Sequence, residues 1–229
     1  MNTLFELSNV SFAYKDKKIL KNINLNVEQG ISVGIAGESG SGKTTLLLLL
    51  LRLLYASSGT VSFNGIDLKK MKTNEVKKFR ALVQPVFQDP YLSLDPTQKV
   101  GSIIAEPLAT LHGIYGSSLN VKEEKQKKVL DALHSVGLED DAVDRLPSAF
   151  SGGQRQRIAI ARSLITNPSV LIADEAVSAL DIVTKIEILK LLQSLRSNKN
   201  FTLIFVSHDL GALQSVTDRI IRLKDGGHL

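Results

Sequence analysis

The sequence predicts an α/β protein in which a parallel sheet covered by helices is interrupted by a helical insertion. Three observations carry this reading. Leu4 to Ala36 falls into short alternating or β-branched runs, about Pro90 to Asn167 follows a helical period, and Val170 to Leu223 alternates strand with helix.

The bulk numbers narrow the class. A chain of 229 residues with 43% hydrophobic content can fill one large core. There is no cysteine, so no disulfide framework or thiolate metal site is available, which suits a reducing cytoplasm. Met1 to Val10 lacks a basic segment followed by an apolar run, so no cleaved signal peptide is expected. Leu46 to Leu54 is the most lipid-like stretch, but it is too short to cross a bilayer and contains Arg52. It reads as a buried helix, and any membrane partner is a separate polypeptide. The net charge of +5 comes from lysines interleaved with acids, not clustered with aromatics, and no nucleic-acid partner is expected.

In chain order, strands are expected at Phe5-Glu6-Leu7, Ile23 to Val27 and Ile31 to Ile35, broken by Lys15 to Lys18 and by Gln29-Gly30. Helical patterns follow at Val100–Leu111, Lys122–Val136 and Gly152–Ile165, with Glu123–Lys127 and Glu124–Lys128 as acid-before-base pairs on a solvated face. The last third reads as a strand at Val170–Ala173, a helix over Asp181–Arg196, a strand at Phe201–Val206, a short helix after Asp209 and a strand at Arg219–Leu223.

Gly37-Glu38-Ser39-Gly40-Ser41-Gly42-Lys43-Thr44 satisfies G-x-x-x-x-G-K-[ST] between an apolar strand and a helical run, the context that motif requires. Glycines let backbone N–H groups turn inward around phosphate oxygens, and the helix start presents its positive dipole end to the same anion. Lys43 adds a charge at the β and γ phosphates, and Thr44 offers a hydroxyl to Mg²⁺. A plain glycine turn would not demand a lysine followed by a hydroxyl.

Val170 to Ala173 is a buried strand ending in Asp174-Glu175, at the carboxyl edge where α/β sheets bind ligands. Such a pair is ordinarily a strand terminus. After a phosphate loop in the same chain, Asp174 is expected in the Mg²⁺ shell and Glu175 as the residue that orients or deprotonates the attacking water.

Phe150-Ser151-Gly152-Gly153-Gln154-Arg155-Gln156-Arg157 resembles the signature motif of ATP-binding-cassette (ABC) ATPases, and the other landmarks of that family follow in order along essentially the whole chain. Ser151 is a good N-cap, and the glycines expose N–H groups at a helix start, a second anion site. The resemblance implies a P-loop ATPase fold with an N-terminal antiparallel β subdomain, an α/β core over 1–89 and 167–229 and a helical subdomain over 90–166. It further implies that Tyr14 stacks on adenine and that Gly37 to Thr44, with Thr45, hold ATP. Gln88 is placed by it in the Q-loop with a catalytic and metal role, Asp181 in the D-loop, and His208 as the switch histidine.

In this family two protomers pair head to tail, so Ser151, Gly152, Gly153 and Gln154 are expected to serve the partner's ATP. Val86 to Pro96 and Ile103 to Leu108 are similar to the ATPases of peptide and nickel importers, many of which continue beyond the point where this sequence stops. The implied assembly comprises a second cassette, membrane permeases and a solute-binding protein, with this chain peripheral at the cytoplasmic face. The rival reading is a non-transport nucleotide clamp, and such proteins usually carry coiled-coil insertions or two cassettes. A non-hydrolysing half-site is the third reading, against which Ser151, Gly153, Glu175 and His208 are all present.

Overall fold

The computed structural model describes residues 2–15, 17–110 and 122–224. Among these residues the chain forms two sheets. The first is antiparallel and joins β1 (Thr3–Tyr14), β2 (Lys17–Glu28), β4 (Ser58–Phe63) and β5 (Ile66–Asp67) in the order β2-β1-β4-β5. The second is parallel, in the order β6-β7-β8-β3-β9, from β3 (Val33–Gly37), β6 (Val83–Val86), β7 (Val170–Asp174), β8 (Thr202–Val206) and β9 (Arg219–Leu223).

The central strands β7 and β8 read as nearly unbroken apolar runs because each faces two cores. In β7, Leu171 and Ala173 belong to a cluster with the helices of the insertion, while Val170 and Ile172 belong to a cluster with the antiparallel sheet. In β8 the same division sets Leu203 and Phe205 against Ile204 and Val206. Strand side chains alternate sides, so the parallel sheet is the middle layer of the molecule. Phe5, Phe63 and Phe79 close the antiparallel side, with ring centroids 4.9 Å (Phe5–Phe63) and 5.3 Å (Phe63–Phe79) apart.

The helices are α1 (Lys43–Leu50), α2 (Thr73–Leu82), α3 (Pro90–Ser93), α4 (Val100–Thr110), α5 (Lys122–Ser135), α6 (Gly152–Leu164), α7 (Ile182–Lys199) and α8 (Leu210–Val216). The insertion between β6 and β7 is helical, as its period predicts. Of the two predicted ion pairs on α5, Glu124–Lys128 is present at 3.4 Å. Leu111, the last residue of the predicted fourth helix, lies outside the described residues.

Several boundaries differ from expectation for identifiable reasons. The helix expected through Leu54 ends at Leu50, because Arg52 adopts φ 57° and its Nε donates to Leu68 O at 2.7 Å. The strand expected at Ile31–Ile35 runs from Val33 to Gly37, because Ser32 is held across the turn: its N–H donates to Asp218 Oδ2 at 2.7 Å and its Oγ accepts from Leu203 N at 3.0 Å. The short strand expected at Phe5–Leu7 is part of twelve residues that pair with β2 through several register shifts, which disguise the alternation. No described helix is long and apolar enough to cross a membrane.

Candidate functional site

β3 delivers the chain into the glycine loop at Gly37, and α1 leaves it at Lys43. The loop needs its glycines. Gly40 and Gly42 sit at φ +83° and +101°, where side chains are strained, and a Cβ on Gly37 would lie 2.5 Å from Ser41 Oγ and 2.8 Å from Leu223 O. Lys43 is buried, and its ammonium donates to Gly37 O at 2.8 Å and Glu38 O at 2.7 Å, so the loop closes on its own lysine. No side chain caps α1.

A cavity of about 490 Å³ opens at this loop, walled by Ser39, Gly40 and Gly42 to Thr45, with Gln88 and Glu175 joining from other elements. Asp174 ends β7, two strands from β3 in the sheet. Burial pushes its carboxyl above the usual carboxylate range and the Glu175 charge adds to this, while Lys43 and a hydrogen bond from Thr44 pull the other way.

Glu175 is the first residue after β7 and takes φ +43°, rare for a side-chain-bearing residue. Its N–H donates to Val206 O at 3.0 Å, and its carbonyl accepts from Ser178 N and Ser178 Oγ, both at 2.9 Å. This kink reconciles strand alternation with a carboxylate that lines the same cavity as the phosphate loop. His208 Nδ1 lies 3.6 Å from Glu175 Oε1, and the imidazole, largely exposed, borders a neighbouring cavity of about 600 Å³ with Gly37, Glu38 and Ser41. His208 therefore stands between the carboxylate and the outer side of the glycine loop.

Tyr14 is half-exposed and packs edge-on against Phe12, with centroids 4.8 Å apart. It does not line the 490 Å³ cavity; its ladder partner Lys17 does, together with Ile19. Sequence reasoning passed over both, having taken Lys15 to Lys18 as a strand break. The available signal was alternation, which puts Lys17 and Ile19 on one face.

Ser151 begins α6 with a reciprocal cap: Gln154 N donates to Ser151 Oγ at 3.3 Å and Ser151 N to Gln154 Oε1 at 3.0 Å. Gly153 is buried against α7, and a Cβ there would stand 2.3 Å from Thr184 Cγ2. Gly152 is looser, with Tyr91 Oη 3.7 Å from its ideal Cβ. Asp181 caps α7, accepting from Thr184 N at 3.0 Å and Thr184 Oγ1 at 2.6 Å, and these bonds hold its carboxyl below the usual range. None of Ser151, Gly152, Gly153, Gln154 and Asp181 lines the cavity at Lys43.

A glycine loop closed on a buried lysine at the carboxyl edge of a parallel sheet, with two acids at the end of a strand two places away, defines a P-loop α/β protein. Residues 20–178 match the ABC transporter family, and the chain belongs to that family. It is 39% identical over 206 residues to a putative peptide import ATP-binding protein of Brucella ovis, covering 90% of this chain and 63% of that one. It is 41% identical over 204 residues to the dipeptide transport ATP-binding protein DppF of Escherichia coli K12, covering 89% and 59%. The chain thus spans less than two thirds of the length of these curated relatives. Among solved structures, the post-hydrolysis dimer of the ATP-binding cassette MJ0796 bound to ADP and Pi is 32% identical, with a TM-score of 0.84 over 99% of this chain and 96% of that one. The cbiO1 protein of Clostridium perfringens, part of the ABC transporter complex cbiONQ, is 29% identical, with a TM-score of 0.85 over 100% and 87%.

Proposed function

We propose that the chain is the ATP-binding and ATP-hydrolysing subunit of an ABC importer whose solute is a peptide or a nickel chelate. The observation that carries this is the convergence of Lys43, Thr44, Gln88 and Glu175 on one cavity, with Asp174 next to Glu175 at the end of β7. The names of the relatives favour peptide import.

The residues at this cavity fit a Mg²⁺ ion accompanying the nucleotide. Thr44, Asp174 and the Gln88 amide are hard oxygen donors, and Asp174 is half-buried at the end of β7 beside Glu175. Held by Thr44, Asp174 and Gln88, a Mg²⁺ ion would supply positive charge to offset that of the phosphates.

The protein's own groups supply the rest. The loop N–H groups from Gly37 to Thr45 and the Lys43 ammonium hold the triphosphate, and Tyr14 lies beside Lys17 at the edge where an adenine would enter. Glu175 Oε1 orients the attacking water and accepts its proton, and His208 keeps that carboxylate in place. The division into a core at 1–89 and 167–229 and a helical subdomain at 90–166 follows the same reading.

A second cassette packs head to tail, so that Ser151, Gly152, Gly153 and Gln154 meet the partner's γ-phosphate. Exposed Ile182 and Val183, 77% and 68% accessible beside Asp181, support a covered surface there. The permease engages the segment after Gln88, where Tyr91 and Leu92 are exposed, and this keeps the chain peripheral at the cytoplasmic face beside a solute-binding protein. The test is ATP turnover with Mg²⁺ by the protein assembled with its permease. Solute-stimulated hydrolysis is expected, and no turnover in that assembly sinks the proposal.

A further inference from the structure

The first turn of α7 is patterned inside out. Ile182, Val183 and Ile186 are exposed, whereas the Lys185 side chain is only 25% accessible. Helices ordinarily turn apolar residues inward and leave lysine to solvent. Ordering a lysine side chain also costs rotamer entropy, so its inward place is explained by what it holds. Its ammonium is ion-paired to Asp209 Oδ2 on the loop that carries His208.

Asp209 is tied on three sides. Its other oxygen caps α8 by accepting from Ala212 N at 3.1 Å, and its own N–H donates to Ser207 Oγ at 3.0 Å. His208 is therefore flanked by two restrained residues. At the other end, Lys185 N donates to Asp181 O at 2.9 Å, one helical turn after the cap. Asp181 closes the loop that begins at Glu175, and Glu175 N returns to β8 at Val206 O. The ion pair is the side-chain link that completes this ring around Glu175 and His208.

We propose that Lys185 is a positioning residue for His208: through Asp209 it sets the Ser207–Asp209 segment against the Glu175–Asp181 loop, which brings His208 Nδ1 to 3.6 Å from Glu175 Oε1. This rests on the roles given to Glu175 and His208 under Proposed function. Partly exposed ion pairs contribute little to global stability, so the effect belongs in turnover and loop order, with the melting temperature nearly unchanged.

The full-length protein is compared with K185M, K185R, D209N and the K185M/D209N double variant by steady-state ATP hydrolysis and by amide exchange across 207–212. Asparagine keeps the α8 cap through its amide oxygen, so D209N removes the charge and the acceptor for Lys185 while leaving the cap in place. K185M is expected to lower kcat about ten-fold with KM for ATP within about two-fold, and K185R to restore most of it. The double variant is expected to be no worse than D209N, because the two side chains act as one unit. Exchange across 207–212 should quicken in K185M while β7 stays protected. Unchanged kcat in K185M, or losses that add in the double variant, overturns the inference. If the unsubstituted protein does not turn over ATP, the catalytic reading fails by itself, and the exchange measurement still decides the positioning role: unchanged exchange in K185M rejects it.

Discussion

The starts of α1 and α6 are both glycine-rich, yet they are finished in opposite ways. α1 begins at Gly42 in a left-handed conformation with no side-chain cap, and a buried lysine is held over the loop by two carbonyls. α6 begins at Ser151 with a reciprocal cap to Gln154, and Gly153 is pressed against Thr184. An uncapped helix start leaves N–H groups to a ligand. A capped one is folded in advance, and an anion meeting it must share the Ser151 hydroxyl with Gln154 N. The difference supports the proposed division, in which α1 holds phosphate tightly and α6 makes a conditional contact that needs a partner.

The largest expected effect tests the chemistry beside α1. Glu175→Gln should keep ATP affinity and lower turnover about 10³-fold, read by steady-state hydrolysis alongside nucleotide binding; wild-type rates would remove Glu175 from its role. Lys43→Ala should weaken nucleotide binding about 10²-fold through loss of charge-assisted contacts, a change that titration of a fluorescent nucleotide would detect or refute.

At α6 the expected effects are structural first. Gly153→Ala drives a methyl group into Thr184 Cγ2 and should cost about 1–3 kcal/mol by overpacking. Adding Thr184→Ser, which removes that methyl and keeps a hydroxyl for Asp181, should recover most of the loss in chemical denaturation. Ser151→Ala removes the cap and should cost about 1 kcal/mol. If thermal melting of the ligand-free protein shows no change, the capped description of α6 is wrong and the two helix starts are alike.

Much of the site could be read in the sequence because its signals are local. A phosphate loop is specified by glycines whose backbone angles depend on their own lack of a side chain, and a cap is a contact between residues three apart, as at Ser151 and Gln154 or Asp181 and Thr184. Asp174-Glu175 was visible for the same reason, as acids at the end of an apolar run. Lys17 and Ile19 were missed because facing the cavity depends on how β2 is laid beside α1.

The sequence by itself determined which backbone segments could be strand, helix or loop, and where charge would gather at their ends, since those follow from sterics and hydrogen bonding between near neighbours. Only the tertiary structure decided which ends meet. The order β6-β7-β8-β3-β9 brings Glu175 to Lys43 across more than a hundred residues of chain, the kink at Glu175 turns its carboxylate inward, and the packing of α7 on α6 and α8 puts Thr184 against Gly153 and Lys185 on Asp209. Such meetings depend on burying two faces of one sheet at once, a condition that no short window of sequence contains.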